Sequence, residues 1–147
     1  MFKRILVPTD GTELSQKATK RAIGLAKVTH AKLVALHVLP RFSDSRAGMF
    51  GAAAKASDST YDREAKAEAQ RWFAAIKQQA DSAGVAFEAV LIESNEVWSA
   101  IILAANKKKC DLICMASHGR RGLSGILLGS ETNKVLTHSR VAVLVLR

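Results

Sequence analysis

The sequence predicts a five-stranded, doubly wound α/β domain, with a parallel sheet covered by helices on both faces. Three observations carry this expectation. Short, continuous apolar runs recur along the chain. Each run is separated from the next by a stretch with apolar residues at helical spacing. Strands that are apolar on both faces belong in a sheet buried on both sides, which is the parallel arrangement. The chain has 147 residues, 48% of them apolar, which suits one domain with its own core. No fixed-period repeat and no linker interrupts it, so residues 1–147 read as a single domain.

The first strand is Ile5-Leu6-Val7, ended by Pro8. Leu14, Ala18, Ala22, Leu25 and Ala26 then line one face of a first helix. Leu33 to Leu39 is the second strand; it carries His37 and ends at Pro40. Residues Arg41 to Ser59 hold Gly48, Gly51, several serines and the run Ala52 to Ala54, and read as a long, mobile connection. From Tyr61, the residues Ala65, Ala69, Trp72, Phe73, Ile76, Ala80 and Ala83 mark a long second helix. Gly84 stops it as a C-terminal cap glycine does. Trp72 and Phe73 read as core packing rather than as a platform for a cofactor. Val85 to Ile92 is the third strand, and Val97, Ile101, Ile102 and Ala105 mark the third helix. Leu112 to Ala116 is the fourth strand. A glycine-bearing stretch leads into a fourth helix near Ser130 to Thr137, and Val141 to Leu146 is the fifth strand.

Composition narrows the function classes. Only three apolar residues, Ile5 to Val7, follow Met1 to Arg4 before Pro8, too few for a signal peptide or a membrane span. The expectation is a cytoplasmic protein with no membrane partner. Cys110 and Cys114 match no zinc or redox spacing and read as small core hydrophobes. The formal net charge is +9, which attracts polyanions. That charge is spread along the chain, and the run Lys107 to Lys109 suits a solvated helix C-terminus. No aromatic residues interleave with the basic ones, so nucleic acid is the weakest candidate partner.

Open parallel sheets bind ligands beyond the carboxyl ends of their strands, where the winding reverses. Two polar, glycine-bearing segments stand there: Pro8-Thr9-Asp10-Gly11-Thr12 after the first strand, and Ser117-His118-Gly119-Arg120-Arg121-Gly122 after the fourth. The second continues to Gly129-Ser130 at the start of the fourth helix. Glycines allow close backbone approach, and free N–H groups at a helix start suit phosphate. Ser130 can cap that helix, and Arg120 and Arg121 add positive charge. The alternative is a tight loop with a capped helix and no ligand. Neither a GxxxxGK[ST] nor a GxGxxG motif occurs. Asp10 reads either as the N-cap of the first helix or as a carboxylate facing a sugar or magnesium. His37 reads as a satisfied core or strand-end histidine. His118 lies in the glycine loop, but no nucleophile with a partnered acid stands beside it to make a triad.

These motifs, in this order, resemble the universal stress protein family over nearly the whole chain. Ile5 to Thr12 resembles the family's first strand and loop, Leu36-His37-Val38 the end of its second strand, and Asp111 to Met115 its fourth strand. Ser117 to Ser130 resembles its nucleotide loop and Val141 to Leu146 its last strand. The family's ATP-binding branch has Gly, two residues, Gly, nine residues, then Gly and Ser or Thr. Gly119 and Gly129-Ser130 fit, whereas Ala116 stands at the first glycine. A methyl group there is compatible with negative φ and costly at positive φ.

The resemblance implies a small ATP-binding stress-response module, with Mg2+ accompanying the nucleotide. Pro8, Thr9 and Asp10 would line the adenosine side, and Val38 would offer backbone groups to the adenine. Met115, Ala116, Ser117, His118, Gly119 and Arg120, with Arg121 and Gly122 beyond, would wrap the ribose and phosphates. Gly129, Ser130, Glu131 and Thr132 would hold phosphates, Glu131 through its N–H alone. The resemblance also implies a strand order of 3-2-1-4-5 and a homodimer pairing the edge strand Val141 to Leu146. Binding without fast turnover is expected, since no clear general base stands near the γ-phosphate apart from His118 and Asp10, and no arginine finger beyond Arg120 or Arg121. A slow ATP hydrolase and a nucleotide-free dimeric interaction protein are the alternatives.

Overall fold

The computed structural model describes residues 1–41, 47–118 and 128–147, with only the backbone for residues 47–59. The elements run β1 (Arg4–Pro8), α1 (Glu13–Thr29), β2 (Lys32–Leu39), α2 (Ala47–Ser82), β3 (Phe87–Glu93), α3 (Val97–Lys107), β4 (Leu112–Ala116), α4 (Ser130–His138) and β5 (Ala142–Leu146). The sheet order is β3-β2-β1-β4-β5, and every pairing is parallel.

Side chains on a strand alternate between faces, and the core divides accordingly. Ile5, Val7, Leu33, Ala35 and Cys114 face one way, against Ala22 and Ala26 of α1 and Phe73 and Ile76 of α2. Leu6, Val34, Leu36, Ile113 and Met115 face the other way, against Ile101 and Ala105 of α3 and Val135 of α4. The chain thus winds one way from β1 to β3 and the other from β4 to β5, and the carboxyl ends of β1 and β4 meet at the reversal. Burial pushes the Cys110 and Cys114 thiols up to about 11, which leaves them inert packing groups at neutral pH.

One expectation is corrected. Of the stretch Arg41 to Ser59, the part from Ala47 on is the start of α2 and not a loop, while residues 42–46 lie outside the described residues. The run Ala52 to Ala54 is helix-favouring, and Gly48 and Gly51 lower helix propensity by only ~1 kcal/mol each. Gly84, at φ 70°, follows the end of α2 as the sequence suggests.

The amino ends of the strands are tied by charge. Glu88 accepts Lys32 Nζ and Lys108 Nζ, each at 2.6 Å. These lysine hydrogen bonds hold its carboxyl well below the usual range, at about 2. The lysine run after α3 is therefore not only a solvated end, since Lys108 clamps β3. Beside it, Asp111 accepts the N–H groups of Lys3 at 2.8 Å and Arg4 at 3.0 Å, fixing the start of β1.

Candidate functional site

β1 makes its last pairing bond from Thr9 N to Leu36 O at 2.8 Å, and the chain then turns into α1. Asp10 is not the N-cap of α1. Thr12 is, with its Oγ1 accepting Ser15 N at 3.2 Å. Asp10 instead holds the cap: its Oδ1 accepts Thr12 N at 3.0 Å and Thr12 Oγ1 at 2.6 Å. An Asp followed two residues later by a Thr suits such an Asx turn, which takes the capping place from the acid. Between them Gly11 sits at φ 77°, where a Cβ would lie 2.2 Å from the indole of Trp72. The turn therefore needs glycine twice, for its backbone and for the ring pressed over it.

β2 runs past the end of β1. Lys32 N donates to Lys3 O, and Leu36 O accepts from Thr9 N, so the even-numbered peptides of β2 face β1. Leu33 N donates to Ala86 O, and Leu39 O accepts from Ser94 N, so the odd-numbered ones face β3. Val38 belongs to the even set, and β1 has no paired residue beside it. Its N–H and C=O therefore open into the cleft. His37 is buried as expected, with Nδ1 2.7 Å from Thr9 O and its ring edge-on to Trp72 at 4.9 Å between centroids.

At the end of β4, Ala116 pairs with Leu146, and its φ is not among the positive ones. Its methyl group therefore carries no backbone strain. Thr132 Oγ1 donates to Ala116 O at 3.0 Å, and Gly129 N donates to Ser117 O at 2.7 Å. A Cβ on Gly129 would sit 3.2 Å from Ser117 O and 3.4 Å from the Cα of His118. Glycine is what lets the start of α4 press onto the end of β4. Ser117 Oγ lies 3.0 Å from His118 Nδ1. Gly119, Arg120, Arg121 and Gly122, the middle of the expected loop, lie outside the described residues.

The N-cap of α4 is Gly129, at φ −68° and ψ 154°, and not Ser130. Ser130 is the first helical residue and is exposed. The first bond within the helix runs from Asn133 N to Gly129 O. The N–H groups of Ser130, Glu131 and Thr132 precede it and are the open donors of a helix start. The carboxylate of Glu131 has two partners of its own, with Oε1 3.5 Å from Lys134 Nζ. Its Oε2 accepts Trp98 N at 2.8 Å, capping the first turn of α3, whose own N-cap residue Glu96 makes no side-chain cap bond.

These ends enclose a cleft of about 740 Å3, inside the roughly 300–1,000 Å3 usual for small-molecule sites. Pro8, Thr9, Asp10, Val38, Met115, Ala116, His118 and Gly129 to Thr132 all line it. Ser117 does not; it is buried behind the wall. Sequence reasoning missed Trp72, His37 and Lys134 as lining residues. Lys134 follows Ser130 by one helical turn, a spacing that could have found it. Phe73 is core, whereas Trp72 is only partly buried and forms a wall of the cleft. Among the described residues no group of three or more His, Cys, Asp or Glu could hold a metal ion.

Comparison with known proteins agrees with this architecture. The family model for the universal stress protein family matches residues 1–147. The universal stress protein MJ0531 of Methanocaldococcus jannaschii is 33% identical over 150 residues, covering all of this chain and 83% of its own. The solved structure of MJ0577 from the same organism superposes with a TM-score of 0.81 at 26% identity, over 99% of this chain and 96% of that one. A universal stress protein crystallised in complex with cAMP superposes with a TM-score of 0.72, also at 26% identity, over 99% of this chain and 97% of its own.

Proposed function

The chain belongs to the universal stress protein family, and from that premise we propose that it is a stress-response module that binds ATP and turns it over slowly or not at all. The observation that carries this reading is a cleft with two unlike ends. At one end the peptide of Val38 opens beside the apolar side chains of Leu36, Ile101 and Met115. At the other, the start of α4 offers N–H donors and a positive helix end, with Lys134 one turn on. An apolar wall with a peptide edge suits a purine, and a helix start suits phosphates. The cAMP complex of a related protein supports an adenine nucleotide.

Magnesium would arrive on the phosphates rather than in a protein cage, since it is commonly bound through one or two carboxylates plus phosphate oxygens. Asp10 is the lining carboxylate at the end of β1. Slow turnover is consistent with the duties of the nearby acids, because Asp10 holds the α1 cap and Glu131 caps α3. We also propose a homodimer through β5. Among the described residues that strand pairs only with β4, and Leu144 on it is 39% exposed. A strand edge of this kind pairs readily with a second copy. Sedimentation at high micromolar concentration tests it, and a monomeric mass excludes it.

Ser130→Asp separates binding from folding. A carboxylate at the first position of α4 suits the helix dipole, so thermal stability is expected to hold or rise by ~0.5 kcal/mol. The same charge repels phosphate, so ATP affinity is expected to fall roughly tenfold or more. Unchanged affinity in a titration of this variant would remove α4 from the site.

A further inference from the structure

We propose that His37 is a positioning residue that keeps the Val38 peptide available to the ligand. In a parallel ladder each further step pairs residues two positions on. Pro8 pairs with Leu36, so one further step would pair Asp10 with Val38. In that step the N–H of Val38 would donate to the carbonyl of Thr9. That carbonyl instead meets a side chain, which occupies the side of it that Val38 N–H would approach. His37 Nδ1 lies 2.7 Å from Thr9 O, and since a carbonyl oxygen only accepts, the ring donates Nδ1–H. The ring is held there by Trp72, whose indole meets it edge-on and also covers Gly11. A side chain on β2 thus replaces the backbone bond that would have zipped the two strands shut one residue further. The ladder stops at Pro8, and the N–H and C=O of Val38 face the cleft.

The inference rests on the adenine-nucleotide reading for the ligand, but its first test does not need one. An amide without a strand partner exchanges with solvent faster than its paired neighbours. Amide exchange by NMR on the ligand-free full chain is expected to show Val38 exchanging far faster than Leu36. In His37→Leu, Thr9 O loses its donor, the ladder extends, and Val38 is expected to become protected. His37→Asn restores an N–H donor near the same place and is expected to return Val38 to fast exchange. ATP affinity should follow the same order, falling roughly tenfold in the Leu variant and recovering in the Asn variant. Affinity for inorganic tripolyphosphate, which has no base, should stay level across all three proteins.

Val38 protected in the wild type overturns the inference and leaves ATP binding standing. Equal loss of ATP and tripolyphosphate affinity in the Leu variant also overturns it, because that pattern marks general damage to the cleft. If the wild type binds no ATP while Val38 exchanges as expected, the functional reading and the base-reading role of Val38 fail, and the strand-end device alone stands.

Discussion

Gly11 sets the scale of what one residue decides in this cleft. Its φ of 77° and the indole 2.2 Å from any added Cβ impose two separate demands. Gly11→Ala is expected to lower stability by about 2–4 kcal/mol, the sum of a left-handed backbone cost and an overpacking cost. Urea unfolding measures this. Combining it with Trp72→Leu should recover the packing share and leave about 1–2 kcal/mol of backbone cost. A Gly11→Ala protein as stable as the wild type would contradict the placement of Trp72. The sequence shows Gly11 as a turn glycine, but nothing local predicts that a residue on α2 rests on it. The same limit applies to Asp10, whose type suits an N-cap. Only the geometry shows Thr12 taking that place, with Asp10 behind it.

At the scale of elements, α3 and α4 depend on each other through one carboxylate. Glu131 on α4 caps α3 at Trp98 N, and Trp98 in turn packs its ring 4.8 Å from that of His138 on α4. Glu131→Ala is expected to cost about 1 kcal/mol of stability, as cap losses do. It should leave ATP affinity level or slightly raised, since a negative charge near the phosphates is removed. Parallel thermal melts and ATP titrations check both signs, and a loss of affinity without a loss of stability would return Glu131 to the binding site. The strands and the amphipathic faces of α1 and α3 were legible in the sequence because period and apolarity are local properties. The start of α2 was not. Its glycines and serines suggest a loop, yet the backbone is helical from Ala47. The site was half legible. Its strand ends follow from topology, whereas a capping partner 33 residues away does not.

At the scale of the whole molecule, one charge cluster ties the strands together at the end opposite the cleft. Glu88 between Lys32 and Lys108 ties β2, β3 and the turn after α3 together. Its folded pKa of about 2 lies below the ordinary 4.5. The ionised group therefore stabilises the fold above about pH 4.5, and that contribution drains away as pH falls from there toward 2. The full shift corresponds to roughly 3 kcal/mol, and solvent screening of these partly exposed lysines brings it nearer ~1 kcal/mol. Glu88→Gln is expected to be about 1 kcal/mol less stable at pH 7 and to flatten the decline between pH 4.5 and 2. Urea midpoints across that range measure it, and an unchanged slope would show that Glu88 is not the titrating group. No described helix is long and apolar enough to cross a membrane.

The central claim is that the cleft between the ends of β1, β2 and β4 and the start of α4 takes an adenine nucleotide. Titration calorimetry of the purified chain with Mg-ATP tests it most directly. Saturable heat with one nucleotide per chain is expected, with an intact triphosphate recovered afterward. No heat at millimolar nucleotide would contradict it.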